Sequence, residues 1–527
     1  MGLFVNPDNS QFVDSMKSEI YVEKSGIISL LNQRIGTAGR GRICVSRPRR
    51  FGKSWTTHLI SAYYSRGCDS RDIFRHLKLA EDNGWDAYLN KMNVLKLDLN
   101  TFFNEAKTPD DVIDVMTAAV LPELRTEFSD ILSGEEESIA NAIVKVYTAT
   151  KIGFVVIIDE YDVIMRERVP ASAFEKYLRF LNRMFKDSDT QMAVQLAYLT
   201  GIIPIVRDKV GSKLNNFTEF TMLSPKQMAP YFGFTREDVE AICMSHGADL
   251  NQCLEWYDGY RLGGGAVDVS CPMSVVSAVE DGEFGCHWGN TGSFDCLKDY
   301  IDMDFDGIKS DVLQMMDGTP ASVNVKSFQN TLNDFQSKDD IFTYLIHLGY
   351  LAYDSETGKA YIPNREVREQ WGLAVDNNPK YSHILDFVAT SRRLIERTTE
   401  CDSAAVAEAL DAAHEEVTSP LSYNNEQSLQ SAISLAYFYA KADYTIVREM
   451  PTGRGYADMA FIPVIPSPSR PAIIVELKWN KAVTTAMEQI SLKRYANALS
   501  HYSGNIILAA VTYDTQTKKH SCEIKKV

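Results

Sequence analysis

The sequence predicts a multidomain α/β protein in which a mostly helical region separates two α/β domains. Short β-rich apolar runs alternate with helical patterns in the first half, the pattern is mostly helical from residue 224 to about 419, and a second mixed pattern follows. Strands that alternate with helices are typical of a parallel sheet covered on both faces. The predicted domains are residues 1–225, 226–420 and 421–527.

The composition is that of a folded globular protein, because 45% of the residues are apolar and 24% are charged. These values exclude collagen-like, low-complexity and wholly disordered chains. The net charge of −16 repels nucleic acid overall, so binding to a polyanion requires a local basic face. Residues 40–54 hold six basic groups and no acid, and residues 470–527 hold nine Lys or Arg against four Asp or Glu.

The cysteine pattern and the apolar runs bear on location. The nine cysteines include no CxxC pair, which is typical of free thiols in a reducing cytosol. The start MGLFVNPDNS lacks the basic segment and apolar core of a signal peptide, and no apolar run approaches the roughly 20 residues of a membrane span. We therefore expect a cytoplasmic protein with no membrane partner.

The first half contains five β-rich apolar runs, and helical patterns lie between them at 55–64 and 173–185. The predicted strands are residues 42–46, 94–100, 154–159, 194–200 and 220–223.

A phosphate-binding loop is predicted directly after the first strand. The segment RPRRFGKS (47–54) lies between this strand and the helical pattern WTTHLISAYY, which is the context that a P-loop requires. Gly52 allows close approach of the backbone to phosphate, Lys53 meets the β- and γ-phosphates, and the Ser54 hydroxyl ligates Mg²⁺. The amides expected at the phosphates are those of Arg50, Phe51, Gly52, Lys53 and Ser54. Arg47 stands where the pattern GxxxxGK[ST] has Gly, and the alternative is a basic surface turn that contains GKS by chance.

The third predicted strand ends in two carboxylates, Asp159 and Glu160. In NTPases this arrangement holds Mg²⁺ and polarises water, so we expect Asp159 to support the metal and Glu160 to be the general base for the attacking water. Thr200 ends the fourth strand, where a polar side chain can sense the γ-phosphate, and Arg207 follows closely enough to reach a phosphate. The alternatives are a solvated acidic turn, a Thr that serves as a strand former, and an Arg in a surface salt bridge.

The last domain contains a second group of charged residues. Its predicted strands are residues 444–450, 457–464, 472–479 and 505–513, with helices at 426–442 and 484–502. Glu476 and Lys478 project from one face of their strand, and antiparallel pairing would bring Asp458 beside Glu476. Two carboxylates and an ammonium form a Mg²⁺ site with a basic group that steers or deprotonates water. Gln489 is expected to support substrate or ligands, and Glu426 is a further candidate acid. The alternative is an edge strand whose alternating charges face solvent.

The chain resembles a known family over nearly its full length. The motifs that carry the resemblance are YVEKSGIISLL (21–31), SRPRRFGKS (46–54), IIDEYD (157–162), LTGIIPI (199–205), LNNF (214–217), WYDGYRL (256–262), WGNTGS (288–293), LGYL (348–351), IPNREV (362–367), GRGYADMAFIP (453–463), IIVELKW (473–479) and AMEQISLKRYA (486–496). The chain is similar to bacterial AAA-ATPase-like proteins fused to a C-terminal domain of the PD-(D/E)XK nuclease superfamily.

The resemblance implies an ATPase of the additional-strand class, with strand order 5-1-4-3-2, and a restriction-endonuclease-like last domain. It also implies that Asp458, Glu476 and Lys478 are the active trio of that domain. Arg47 in place of the first Gly is usual in this family, which removes the objection to the P-loop. Glu23 departs from the family's Asp at that position but keeps the charge.

Together these features predict an enzyme that binds and hydrolyses ATP with Mg²⁺ and controls Mg²⁺-dependent phosphodiester cleavage by its last domain. The expected partner is nucleic acid, with DNA favoured over RNA. The alternative is a nucleotide-dependent switch whose nuclease-like domain grips nucleic acid or a partner without cutting. An apolar-ligand or structural protein would leave both acidic strand ends unexplained, and assembly into a homo-oligomer stays open.

Overall fold

The structure of the protein is a computed structural model. It describes residues 2–37, 39–167, 169–205, 215–288, 308–316, 318–326, 328, 335–376, 382–417, 429–430, 433, 436–437, 440, 444–451, 456–463, 470–492 and 505–526. The chain divides into two compact units, the first formed by Met1–Val312 and Pro320–Gln370 and the second by Leu313–Thr319 and Trp371–Val527. The domain boundaries predicted at residues 225 and 420 remain predictions.

The first unit is built on a five-stranded parallel sheet. Its strands are β1 (Arg42–Ser46), β2 (Asn93–Asp98), β3 (Phe154–Asp159), β4 (Val194–Gly201) and β5 (Thr218–Phe220). Their spatial order is β2-β3-β4-β1-β5, and every neighbouring pair is parallel. This is the predicted order 5-1-4-3-2, so the predicted fold class is confirmed.

Ten helices accompany this sheet in the part of the chain that the structure describes. They are α1 (Ser10–Met16), α2 (Ile27–Asn32), α3 (Lys53–Tyr64), α4 (Arg71–Phe74), α5 (Leu99–Glu105), α6 (Val112–Glu127), α7 (Ile139–Thr150), α8 (Val163–Arg166), α9 (Ala171–Phe185) and α10 (Ser188–Ala193). Alternate residues of β3 face two apolar layers, as expected for a strand buried on both faces. Val156 and Ile158 pack in the layer that contains α6, α7 and α9, whereas Val155 and Ile157 pack in the layer that contains α2 and α3.

The following region is mostly helical, as predicted. Its helices are α11 (Arg236–His246), α12 (Leu250–Tyr257), α13 (Pro272–Asp281), α14 (Ile308–Met316), α15 (Lys338–Leu348), α16 (Arg365–Asp376), α17 (Ser382–Thr399) and α18 (Ser403–Val417). It also contains two small antiparallel sheets that the sequence did not predict. They are formed by β6 (Phe234–Thr235), β7 (Tyr260–Leu262) and β8 (Val267–Ser270), and by β9 (Ala321–Ser322), β10 (Ala352–Asp354) and β11 (Lys359–Tyr361).

The second unit contains a mixed five-stranded sheet in sequential order. Its strands are β12 (Tyr444–Pro451), β13 (Tyr456–Pro463), β14 (Ala472–Trp479), β15 (Ile506–Asp514) and β16 (Lys519–Lys526), with α19 (Val483–Leu492) between β14 and β15. Only the pair β14–β15 is parallel, because a helix crosses over between these strands. Strand β16 was not predicted, most of the helix predicted at 426–442 lies outside the described residues, and so does residue 493 onward of the helix predicted to reach 502.

The two faces of β14 pack differently. Ile473, Val475 and Leu477 lie in a core that includes residues of α17 and α18. Ile474 lies in a second core with Ala486 of α19. Because side chains alternate along a strand, the charged residues that follow Ile474 at every second position belong to the α19 face.

Two further observations concern the described residues. None of their helices combines the length and the apolar character that a span of the lipid bilayer requires. The eight cysteines that the structure describes are all free thiols.

Candidate functional sites

The first unit contains a cavity of about 780 Å³ at the carboxyl ends of its parallel strands. Its polar lining comes from residues at or after the ends of β1, β2 and β3, and includes Lys53, Ser54, Asp98, Asp159, Glu160 and Arg166. Its apolar and aromatic lining includes Phe12, Ile20, Tyr21, Tyr231, Phe234 and Met273. Ligands of open α/β sheets bind at this edge, and the volume is in the range of small-molecule sites.

The predicted P-loop forms one wall of this cavity. Gly52 adopts the left-handed conformation, with φ of 84°, and α3 begins at the next residue. The first N–H groups of a helix have no acceptor within it, so they are available to an anion. The residues predicted to cradle phosphate all line the cavity: Arg50, Phe51, Gly52, Lys53 and Ser54.

Lys53 is only 5% exposed and lies against the P-loop itself. Its Nζ donates to the carbonyl oxygens of Arg47 at 3.2 Å and Pro48 at 2.9 Å. Burial lowers the pKa of Lys53, and the carboxylates of Glu160 and Asp159 oppose that shift. The Lys53 Nζ is therefore held by neutral carbonyls, which a phosphate could replace as partners.

Asp159 is the last residue of β3, and Glu160 is the first residue after it. Burial raises the pKa of Asp159 to about 6, while a hydrogen bond from Ser54 acts in the opposite direction. Glu160 adopts φ of 49°, and its backbone N–H donates to Asp159 Oδ1 at 2.9 Å. The Ser54 hydroxyl and the Asp159 carboxylate thus meet in the cavity, and two oxygen donors of this kind suit a hard cation such as Mg²⁺.

Arg166 was not predicted, yet it connects two carboxylates beside the cavity. Its Nη2 pairs with Glu160 Oε2 at 2.5 Å, and its Nε lies 3.1 Å from Asp162 Oδ2. Burial works against the charged guanidinium, but these two carboxylates together raise its pKa. Asp162 Oδ2 also accepts the backbone N–H groups of Ile202 at 2.9 Å and Ile203 at 2.8 Å. Glu160 is therefore connected through Arg166 and Asp162 to the segment that follows β4.

Thr200 is fully buried one residue before the end of β4, and it is not among the residues that line the cavity. Its carbonyl oxygen accepts the backbone N–H of Tyr161 at 3.1 Å, which joins the ends of β3 and β4. Arg207 lies outside the described residues.

Lys24 also lines the cavity, and its sequence context had not indicated a role for it. Its Nζ donates to the carbonyl oxygen of Pro230 at 2.9 Å and pairs with Asp238 Oδ2 at 2.5 Å. The motif YVEKSGIISLL contained this residue without indicating its partner. For Arg166 a signal existed, because an Asp four residues before an Arg on a helix is a pairing pattern.

In the second unit, Asp458 and Glu476 lie on adjacent antiparallel strands. The register Met459↔Val475 places them one step further along the ladder, as the sequence predicted. Asp458 Oδ2 accepts the backbone N–H of Leu477 at 2.7 Å. Lys478 Nζ donates to Glu476 Oε1 at 3.0 Å and to the Leu477 carbonyl at 2.8 Å. Glu476 is 1% exposed and Lys478 is 8% exposed, so these two do not form the solvent-facing stripe that was the alternative.

The other residues predicted for this site are described only in part. Gln489 belongs to α19, but its side chain is outside the described part, as is the whole of Glu426. Among the described residues, no group of three or more His, Cys, Asp or Glu side chains is placed to hold a metal ion. Two carboxylates still fit Mg²⁺, because this ion is commonly held by one or two carboxylates and keeps several waters.

The fold of the first unit and its cavity define a P-loop protein. The second unit adds a mixed sheet that carries the charged side chains of Asp458, Glu476 and Lys478. Comparison with family models agrees with both parts. Residues 12–211 match the family described as predicted AAA-ATPase, and residues 424–523 match the PD-(D/E)XK nuclease superfamily. The chain therefore carries an AAA-ATPase-like domain followed by a domain of the PD-(D/E)XK nuclease superfamily, and the resemblance is confirmed for both.

No curated protein matches the chain. Two solved structures from Aeropyrum pernix are similar to it over much of its length. The ORC2 protein in ADPNP–ADP complexes is 11% identical, covers 71% of this chain and 99% of its own, and gives a TM-score of 0.32. The ORC1 protein in complex with DNA is 12% identical, covers 73% of this chain and 100% of its own, and gives a TM-score of 0.27.

Proposed function

We propose that the first unit binds and hydrolyses ATP with Mg²⁺ and that this reaction controls cleavage of phosphodiester bonds by the second unit. One observation carries the proposal. The cavity brings together a buried ammonium, a hydroxyl that donates to a carboxylate, and a second carboxylate, contributed by Lys53, Ser54, Asp159 and Glu160. These are the groups that phosphoryl transfer to water requires.

Each group has a defined task in this proposal. Lys53 exchanges its two loop carbonyls for the β- and γ-phosphates, because a charged hydrogen bond is stronger than a neutral one. Ser54 and Asp159 would hold the metal, which neutralises phosphate charge when it is bound. Glu160 accepts a proton from the attacking water, and Arg166 orients the Glu160 carboxylate.

The experiment uses two substitutions that separate binding from chemistry. Lys53→Ala removes a charged hydrogen bond and should weaken ATP binding about 10- to 100-fold by calorimetry. Glu160→Gln should preserve binding and slow hydrolysis by about 10²–10⁴-fold, because an amide cannot accept the proton. Lys17→Ala is the matched control, since Lys17 is 69% exposed. Unchanged ATP affinity in Lys53→Ala would refute the P-loop assignment.

For the second unit we propose that Asp458 and Glu476 hold Mg²⁺ and that Lys478 orients or activates water. The proposal is supported by the register that brings the two carboxylates to adjacent strands and by the burial of the Glu476–Lys478 pair. Buried charged groups in an otherwise apolar strand cost stability, so a functional reason for them is expected.

The test is cleavage of plasmid DNA and of RNA in the presence of Mg²⁺ and ATP. Lys478→Met should abolish cleavage, and Lys525→Met, which changes a 59% exposed lysine of the same unit, should not. The ratio of DNA to RNA cleavage tests our proposal that DNA is preferred. Cleavage by Lys478→Met at the wild-type rate would refute the role of this residue.

A second candidate function is a nucleotide-dependent switch whose nuclease-like domain binds nucleic acid without cutting. The observation that favours it is the state of Lys478, whose ammonium is engaged by Glu476 and by the Leu477 carbonyl. ATP-dependent retention of DNA by wild type without cleavage would support it. A cytoplasmic location, a homo-oligomer, and roles for Thr200, Arg207, Gln489 and Glu426 remain proposals.

A further inference from the structure

Four motifs that the proposed function does not use contact the P-loop or one another. They are WYDGYRL (256–262), LGYL (348–351), IPNREV (362–367) and the first residue of WGNTGS, Trp288. All belong to the first unit, although they lie far along the chain from the parallel sheet. Their described contacts form a connected set that ends on three P-loop residues.

Arg50 makes the first contact. Its Nη1 donates to the carbonyl oxygens of His287 at 3.1 Å and Trp288 at 3.3 Å. The backbone of Arg50 is in the left-handed region, with φ of 68°, which a residue with a Cβ adopts at a cost. Such a conformation persists only where surrounding contacts hold it, and these two hydrogen bonds are contacts of that kind.

Phe51 and Pro48 make the other two contacts. The rings of Phe51 and Tyr260 pack edge to face at a centroid distance of 5.2 Å. The backbone of Gly349 lies so close to Pro48 that a Cβ at Gly349 would be 2.8 Å from Pro48 Cβ. The Tyr260 hydroxyl donates to the Gly349 carbonyl at 2.8 Å, so these two contacts are themselves joined.

Glu366 holds the backbone to which Arg50 is bound. Its Oε1 accepts the backbone N–H groups of His287 at 2.8 Å and Trp288 at 2.7 Å. Glu366 is 1% exposed, and burial raises its pKa. The N–H groups of His287 and Trp288 are thus fixed by Glu366, while their carbonyls accept from Arg50.

We propose that Glu366 is a positioning residue that acts through the His287–Trp288 backbone to hold Arg50, and with it the P-loop turn, in the conformation that receives phosphate. The inference rests on the proposed ATP binding. A loop that is already ordered binds its ligand more tightly, because ligand binding then does not include the entropic cost of ordering the loop. Glu366 is not among the residues that line the cavity, so we expect it to act on binding through the loop rather than on the chemical step.

The decisive comparison is Glu366→Met against Glu366→Gln. Gln retains an Oε1 that accepts both N–H groups, whereas Met fills a similar volume without an acceptor. Glu366→Met should raise KM and Kd for ATP about tenfold, and it should leave kcat within about twofold because Glu160 is untouched. Glu366→Gln should restore wild-type values, which a purely electrostatic role of the carboxylate would not allow.

Arg50→Ala completes a double-mutant cycle with Glu366→Met. Alanine is suitable because it keeps a Cβ and therefore the same cost of a left-handed backbone at position 50. If both residues act through one path, Glu366→Met should add little to the KM of Arg50→Ala. Full additivity of the two effects would overturn the inference, as would equal KM values for Glu366→Met and wild type. If Glu366→Met does not fold, Glu366→Asp replaces it, because Asp keeps the charge and withdraws the acceptor by one methylene. A wild-type chain that binds no ATP would refute the proposed function itself, whereas an active wild type with an unaffected Glu366 variant refutes the positioning role alone.

Discussion

Replacing Asp162 with alanine tests whether a buried carboxylate connects Glu160, the proposed general base, to the end of β4. Asp162 is fully buried, and its Oδ2 accepts the N–H groups of Ile202 and Ile203. The same oxygen lies 3.1 Å from Arg166 Nε. Alanine removes all three interactions while the three partners remain in place.

The expected cost follows from these partners. Hydrogen bonds to a charged group contribute about 1.5–3 kcal/mol each, and removal of one partner of a buried ion pair costs about 3–5 kcal/mol. These contributions overlap, and Arg166 keeps its pairing with Glu160, so we expect a loss of about 4 kcal/mol for Asp162→Ala. Asp162→Asn keeps one acceptor for the two N–H groups and should lose about half as much. Asp14→Ala is the control, because Asp14 pairs with Lys17 at 71% and 69% exposure and such pairs contribute at most about 1 kcal/mol.

Native-state hydrogen exchange is the suitable assay, because chains with several domains seldom unfold in one two-state step. Peptides that span residues 194–205 report the local free energy of opening at β4 and at the backbone that Asp162 holds. We expect faster exchange there in Asp162→Ala than in Asp14→Ala. If the backbone amides of these peptides exchange at equal rates in the two variants, Asp162 does not hold the segment and the reasoning is wrong.

Three further predictions concern other parts of the chain. Burial raises the pKa of Asp159 to about 6. Its contribution to the stability of the metal-free protein is therefore fully present below about pH 4 and is lost as the pH rises through 6. Asp159→Asn should flatten this part of a plot of melting temperature against pH. By native-state hydrogen exchange, Gly259→Ala should lower the local free energy of opening by about 3 kcal/mol, because φ is 118° and a Cβ would lie 2.0 Å from the Pro363 carbonyl oxygen. Gly282→Ala, with open space around it, should cost less by the same assay. Mg²⁺ should raise the melting temperature of wild type more than that of Asp458→Asn, and identical responses in a thermal shift assay would contradict a metal site at Asp458.

The sequence predicted the elements that carry the first cavity because their signals are local. An uninterrupted apolar run that ends in acid specifies β3, and the structure places this strand at the predicted residues. Lys53, Ser54 and the two carboxylates then meet because the carboxyl ends of parallel strands share one edge of the sheet. The strand order itself came from the resemblance, since local patterns do not specify which strands pair.

The features that the sequence missed depend on tertiary contacts or on very short elements. Lys24 and Asp238 are more than 200 residues apart, and nothing along the chain indicates that they pair. Strands β6 and β9 have two residues each, too few for an alternating pattern. Strand β16 carries the sequence KHSCEIKK, whose polar composition conceals a strand that pairs with β15 along its whole length.

Arg47 shows how a departure from a sequence pattern can be explained by the structure. Within the described loop, positive φ falls on Arg50 and Gly52 and not on Arg47, so this position does not need the conformational freedom of glycine. Arg47 is fully buried, and its Nη1 donates to the carbonyl oxygens of Ser46 at 2.8 Å and Phe220 at 3.0 Å. Burial lowers its pKa to about 10, which still leaves the guanidinium charged at neutral pH. Arg47, at the first position of this P-loop, therefore joins the ends of β1 and β5. The turn that a glycine would make at position 47 is made three to five residues later, at Arg50 and Gly52. Glu366 and the start of α3 constrain these two positions.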